Sequence, residues 1–167
     1  MKNQTHQITL IAMLAAISVV GRVAFQFLPN IQPVTTIIII SGFFLGTVPA
    51  ILLAVLSTYL SNLFLGMGIW TIWQIVAWSL IGIGSGVLGK FSFTVKHPII
   101  SLTTYAAFSG FFYGAIFAVT NYFISGYFVG YYLASLPFDF NHALGNVIFI
   151  ILLYKPLAVI FKRFLHS

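Results

Sequence analysis

Cysteine is absent, Asp139 is the single acidic side chain, and charged residues make up 5% of the 167-residue chain. The first absence excludes disulfides, thiolate nucleophiles and thiolate metal sites. The scarcity of charge excludes a water-facing surface, because soluble domains carry about 25% charged residues. Also missing are a Gly-rich nucleotide loop of the Walker type, an internal repeat and a low-complexity tail. The long apolar runs lack the period-2 alternation of a membrane barrel. Backbone inside a bilayer must satisfy its own hydrogen bonds, so helices are what remains.

What is present is apolar: 60% of the residues are hydrophobic. A membrane-crossing helix needs roughly 20 mostly apolar residues. Six of them with short connections use nearly the whole sequence. The expectation is an all-α integral membrane protein, a single six-helix transmembrane domain over residues 1–167. Helices are expected over residues 8–28, 34–45, 49–65, 71–88, 99–124 and 138–164. The first run is too long for a signal-peptide core and lacks a clear cleavage site. Pro29 and Pro33 break helix 1 from helix 2. Pro49 suits the first turn of helix 3. Residues 125–137 read as an aromatic, glycine-containing loop.

The formal net charge is +6. With six helices, Lys2, Lys90, Lys96, Lys155, Lys162 and Arg163 share one side. By the positive-inside rule that side is the cytoplasm, with both termini in it. This topology accounts for the basic excess without nucleic acid. Arg22, in the outer part of helix 1, is the exception.

The outer half gathers the unusual polar and aromatic groups. Arg22, Gln26, Asn30 and Gln32 lie on helix 1 and its loop, and Asn62 ends helix 3. Trp70, Trp73, Gln74 and Trp78 follow at helical spacing, and Asn121 ends helix 5. Asp139, His142 and Asn146 share one face of helix 6. Ionisable groups inside membranes usually face the protein interior or a wet cavity. These thirteen residues therefore mark an outward-facing substrate pocket. Each has a plainer reading. The tryptophans suit an interfacial belt, Asp139 suits a helix N-cap, and Arg22 suits snorkelling or a pair with Asp139. His142 suits a hydrogen-bonded interior histidine. Asp139 and His142 lack a third metal ligand, and no metal or cofactor is expected. In helix 1, Ala12 and Ala16 form an AxxxA pattern that permits close helix approach in lipid, either within the chain or against another membrane subunit.

These stretches resemble the S components, the substrate-binding membrane subunits of energy-coupling factor (ECF) vitamin importers. The resemblance spans the chain. It is carried by the six-helix layout, AxxxA at Ala12 and Ala16, and Pro29-Asn30-Ile31-Gln32-Pro33. It is carried further by Ser61-Asn62, the Gly66-Met67-Gly68 to Gln74 stretch, and Pro137-Phe138-Asp139 with His142 and Asn146. It implies a prokaryotic plasma-membrane protein, not an enzyme, that binds a vitamin and assembles with a T subunit and two cytoplasmic ATPases. Ala12 and Ala16 are then the T-subunit docking face. In that family the S component is thought to topple, carrying its pocket inward. The branch is similar to S components linked to cobalamin, with pantothenate as the alternative vitamin. A small intramembrane enzyme using Asp139 and His142 as an acid–base pair and a self-sufficient channel or exporter are the competing classes. The first lacks a nucleophile arrangement. The second lacks ionisable groups along the inner half.

Overall fold

The structure, a computed structural model, describes residues 4–166. Lys2, one of the six cations assigned to the cytoplasmic side, lies outside them. Among the described residues seven helices follow one another: α1 (Gln4–Ala24), α2 (Val34–Leu45), α3 (Thr47–Leu65), α4 (Trp70–Leu88), α5 (Ser92–Lys96), α6 (Pro98–Ser125) and α7 (Phe128–His166). Among the described residues, α1, α3, α4, α6 and α7 are long and apolar enough to cross a membrane. With α2 they make the six-helix membrane protein that the hydropathy implies. The extra helix, α5, is five residues long and sits between α4 and α6, in the polar connection around Lys90 and Lys96.

α2 is the centre of the assembly. Its twelve residues rise only about 18 Å, less than the roughly 30 Å hydrocarbon core. It packs against α1, α3, α4, α6 and α7. Residues Val34 to Gly42 are all buried, with Ile37, Ile38, Ile39 and Ile40 at 1% exposure or less. A helix apolar on every side belongs in the middle, and here the other five membrane helices shield it from lipid.

Small residues set the closest approaches. A Cβ on Gly82 would press on Ala50 of α3, and one on Gly86 would meet the Thr47 backbone. Gly42 of α2 lies against the Gly82 carbonyl. Gly110 and Gly114 do the same for α6 and α7. A Cβ at Gly110 would overlap the Ala143 backbone, and one at Gly114 the Asp139 carboxylate. Both pairs are GxxxG patterns, which let helices approach closely in lipid.

Two boundaries differ from the expected ones. α1 ends at Ala24 and residues 25–33 form the turn-rich entry to α2. There Asn30 takes a positive φ of 60°, a conformation that asparagine tolerates better than most side chains. The larger correction concerns residues 125–137. They are not a loop. α6 stops at Gly126, whose left-handed φ of 77° lets its N–H cap Tyr122 O at 2.8 Å. α7 starts two residues later and runs through Pro137 and Pro156. Each proline removes one helical donor, a loss that membrane helices tolerate where neighbours re-satisfy the backbone. Asp139 therefore sits inside a helix, and the N-cap reading does not hold.

Six consecutive membrane helices place residues 25–33, 66–69 and 126–127 at one end of the bundle. The other end carries α5, the start of α1 and the end of α7 with Lys162 and Arg163. In a cysteine-accessibility experiment on intact cells, Lys96→Cys is expected to stay unlabelled by an impermeant reagent, while Met67→Cys is labelled. Labelling of Lys96→Cys from outside would reverse the orientation.

Candidate functional site

The polar residues of the outer half form a connected cluster at the top of α1, α2, α3 and α4. Gly21 lies against the Pro33 ring, which holds the end of α1 next to the start of α2. Arg22, 6% exposed, points into the bundle from there. Its Nε donates to Gln32 Oε1 (3.1 Å), and its Nη1 donates to Ser61 Oγ (2.6 Å) and Asn62 Oδ1 (2.9 Å). The guanidinium carbon stands 4.9 Å from the centre of the Trp78 ring, a cation–π distance. Asn62 in turn donates to Thr71 Oγ1 (2.9 Å) and Gln74 Oε1 (2.7 Å).

Beside it lies an aromatic cluster built around a hydroxyl. Trp78 Nε1 donates to Thr35 Oγ1 at 2.9 Å, and His142 Nε2 meets the same oxygen at 2.8 Å. Tyr113 packs at 5.3 Å from Trp78 and edge-on at 4.9 Å from His142. One residue each from α2, α4, α6 and α7 thus fixes the others. The His142 Nδ1 and Asn146 Oδ1 atoms are buried and have no partner among the described residues.

Two adjoining cavities open on these groups. The inner chamber, about 70 Å³, is lined by Arg22, Asn30, Gln32, Val34, Gln74, Trp78, Tyr113 and His142. The outer cavity, about 320 Å³, shares Asn30, Gln74 and Tyr113 with it and continues past Gly114 and Phe117 to Trp70, Tyr131, Phe138, Ser135 and Asp139. Asp139 is 3% exposed, and Ser135 Oγ lies 3.0 Å from its Oδ2. The floor is thus cationic, the middle aromatic, and one wall of the mouth acidic. Asn30 Nδ2 donates to Phe138 O at 3.2 Å, tying the α1–α2 turn to α7 across this opening.

Most of the expected pocket residues converge here. Arg22, Asn30, Gln32, Trp70, Gln74, Trp78, Asp139 and His142 line one or both cavities. The others do not. Gln26 is exposed on the turn after α1. Asn62 is buried and spent on Arg22, Thr71 and Gln74. Asn146 is fully buried, donating to Ala106 O at 3.2 Å. Trp73 and Asn121 border a more apolar hollow of about 280 Å³ between α4, α6 and the start of α7, which meets the outer cavity at Trp70, Phe117 and Tyr131. Arg22 makes no pair with Asp139 among the described residues, because Ser61, Asn62 and Gln32 hold it elsewhere. Tyr113, Phe117, Tyr131 and Ser135 were not expected. The aromatics among them look like ordinary span residues in sequence. Ser135 lay in a stretch read as loop, and its i, i+4 spacing to Asp139 signals contact only once that stretch is a helix. Ala12 and Ala16 are exposed on α1, opposite the buried Leu10, Leu14 and Ser18, so they take no part in packing within the chain.

The fold and the cavities together define a class: a small polytopic membrane protein with adjoining cavities at one end of its helix bundle. Residues 2–162 match the family described as ECF-type riboflavin transporter, S component, and the chain belongs to that family. It is therefore a substrate-binding subunit of an ECF vitamin transporter in the cell membrane, and not an enzyme. No curated protein and no solved structure matches the chain.

Proposed function

We propose that this S component captures riboflavin from outside and delivers it through a T subunit and two ATPases. The carrying observation is the aromatic outer cavity of about 320 Å³ opening onto the polar inner chamber. Pockets for small ligands start at about 300 Å³. A fused flat ring with a hydroxylated chain suits that size, and Tyr113, Phe117 and Trp70 offer faces for stacking. The family description supports the same vitamin. Cobalamin, the vitamin that the sequence resemblance put first, is several times bulkier than a flavin, and the cavity favours the smaller ligand. Pantothenate fits by size but leaves the aromatic faces without a partner.

The test is direct binding to the purified full chain. Riboflavin fluorescence is expected to be quenched on titration, and riboflavin is expected to co-purify. Retention of cobalamin or pantothenate in its place would reject this choice of vitamin.

The exposed Ala12 and Ala16 leave α1 a shallow stripe on which another membrane helix can pack closely. The T subunit is the proposed occupant, in line with the family's mode of assembly. Ala12→Trp and Ala16→Trp are expected to retain riboflavin binding and lose co-purification with the T subunit. Assembly at the parental level would remove this docking role.

A further inference from the structure

Arg22 carries a positive charge that the chain does not neutralise. A guanidinium has five N–H groups. Nε is taken by Gln32, and Nη1 by Ser61 and Asn62. No described residue accepts a hydrogen bond from Nη2. All three acceptors are uncharged, and Asp139, the single acidic side chain in the sequence, is engaged with Ser135. Burying a charge without a counter-charge is costly, and intramembrane ionisable groups mark ligand pathways. Arg22 borders the inner chamber, and the other residues lining that chamber carry no acidic group. An acceptor that enters this chamber would meet Arg22 there.

Resting on the vitamin-capture reading above, we propose that the inner chamber is an acceptor site. Arg22 Nη2 there holds the oxygen-rich edge of the vitamin, while Asp139 and Ser135 in the outer cavity take its hydroxyl donors. A chamber of about 70 Å³ admits an edge, not a ring system. The ligand therefore enters head first, its ring body between Tyr113 and the outer aromatics and its hydroxylated chain toward the mouth. Two chemistries supply such an edge: the paired carbonyls of a flavin ring and a carboxylate. With Nε and Nη1 engaged, Nη2 is left to donate to one oxygen of either edge, a flavin carbonyl or a carboxylate oxygen. A cationic vitamin is excluded at this end.

The experiment titrates riboflavin, N3-methylriboflavin and pantothenate into the purified full chain and into Arg22→Gln and Arg22→Lys, with melting temperatures measured in parallel. Arg22→Gln is expected to lose roughly 10- to 150-fold in riboflavin affinity, the range for removing a charged hydrogen bond. Arg22→Lys should lose affinity by a smaller factor. N3-methylriboflavin, whose methyl group sits between the two carbonyls, should bind the parent at least tenfold more weakly than riboflavin. Parental riboflavin affinity in a folded Arg22→Gln overturns the inference and leaves riboflavin capture standing. If that variant does not fold, equal binding of riboflavin and its N3-methyl analogue by the parent overturns it. Arg22-dependent binding of pantothenate but not riboflavin rejects riboflavin as the vitamin and keeps the acceptor site. Binding of neither vitamin by the parent overturns both.

Discussion

Gly110→Leu is expected to prevent α6 and α7 from seating, and to lower the melting temperature of the detergent-purified protein by roughly 10 °C or more. The added side chain has nowhere to go, because even its Cβ would overlap the Ala143 backbone. A flexible side chain can turn away from an intruding methyl, but a helix backbone moves only with the whole helix. The effect reaches the pocket, since α6 supplies Tyr113, Gly114 and Phe117, and α7 supplies Tyr131, Ser135, Asp139 and His142. Riboflavin binding should fall together with stability. Gly114→Ala is the graded companion. Its methyl meets the Asp139 carboxylate rather than backbone, so it should displace that side chain and disturb binding more than melting. A Gly110→Leu protein that melts within about 2 °C of the parent would show that the α6–α7 contact has room to give.

Thr35→Val is expected to be the most damaging isosteric change in the molecule. One methyl replaces the hydroxyl that accepts from Trp78 Nε1 and meets His142 Nε2. Both ring nitrogens are then left buried and unpaired, at about 1–3 kcal/mol each. Thr35 is fully buried, so water does not replace the hydroxyl without opening the bundle. Trp78 and His142 both line the inner chamber, and affinity should fall with stability. The coupling is separable. In the Thr35→Val/Trp78→Phe double variant the indole donor is gone, so the two losses should sum to less than the single variants imply, by about 1 kcal/mol or more. Strict additivity would mean that the hydroxyl does not link the two rings.

The membrane class, the number of crossing helices and the polarity of the two ends were legible in the sequence, because each depends on local quantities. A run of apolar residues needs no partner to declare itself, and lysines cluster at helix ends whatever the helices pack against. Residue roles inside the pocket were legible only in part. Trp70, Gln74 and Trp78 recur at every fourth position and, with α4 beginning at Trp70, fall on the face that lines the cavities. Trp73 breaks that spacing and turns to another hollow. Asp139, His142 and Asn146 share a helix face as expected, yet spacing along a helix does not set depth. His142 reaches the chamber, whereas Asn146, one turn further in, is spent on the Ala106 carbonyl.

The sequence by itself determined that this chain lives in a membrane and concentrates its polar chemistry at one end, because hydropathy and charge act residue by residue. Only the tertiary structure decided how those groups pair. It gave Arg22 to Ser61 and Asn62, 39 and 40 residues away, and kept it from the single acid. It carried α7 through Pro137, although the proline removes one helical hydrogen bond. It separated the aromatics that line the pocket, Tyr113 and Phe117, from those facing lipid. In a bilayer both environments are apolar and both favour the same side chains, so only packing tells them apart.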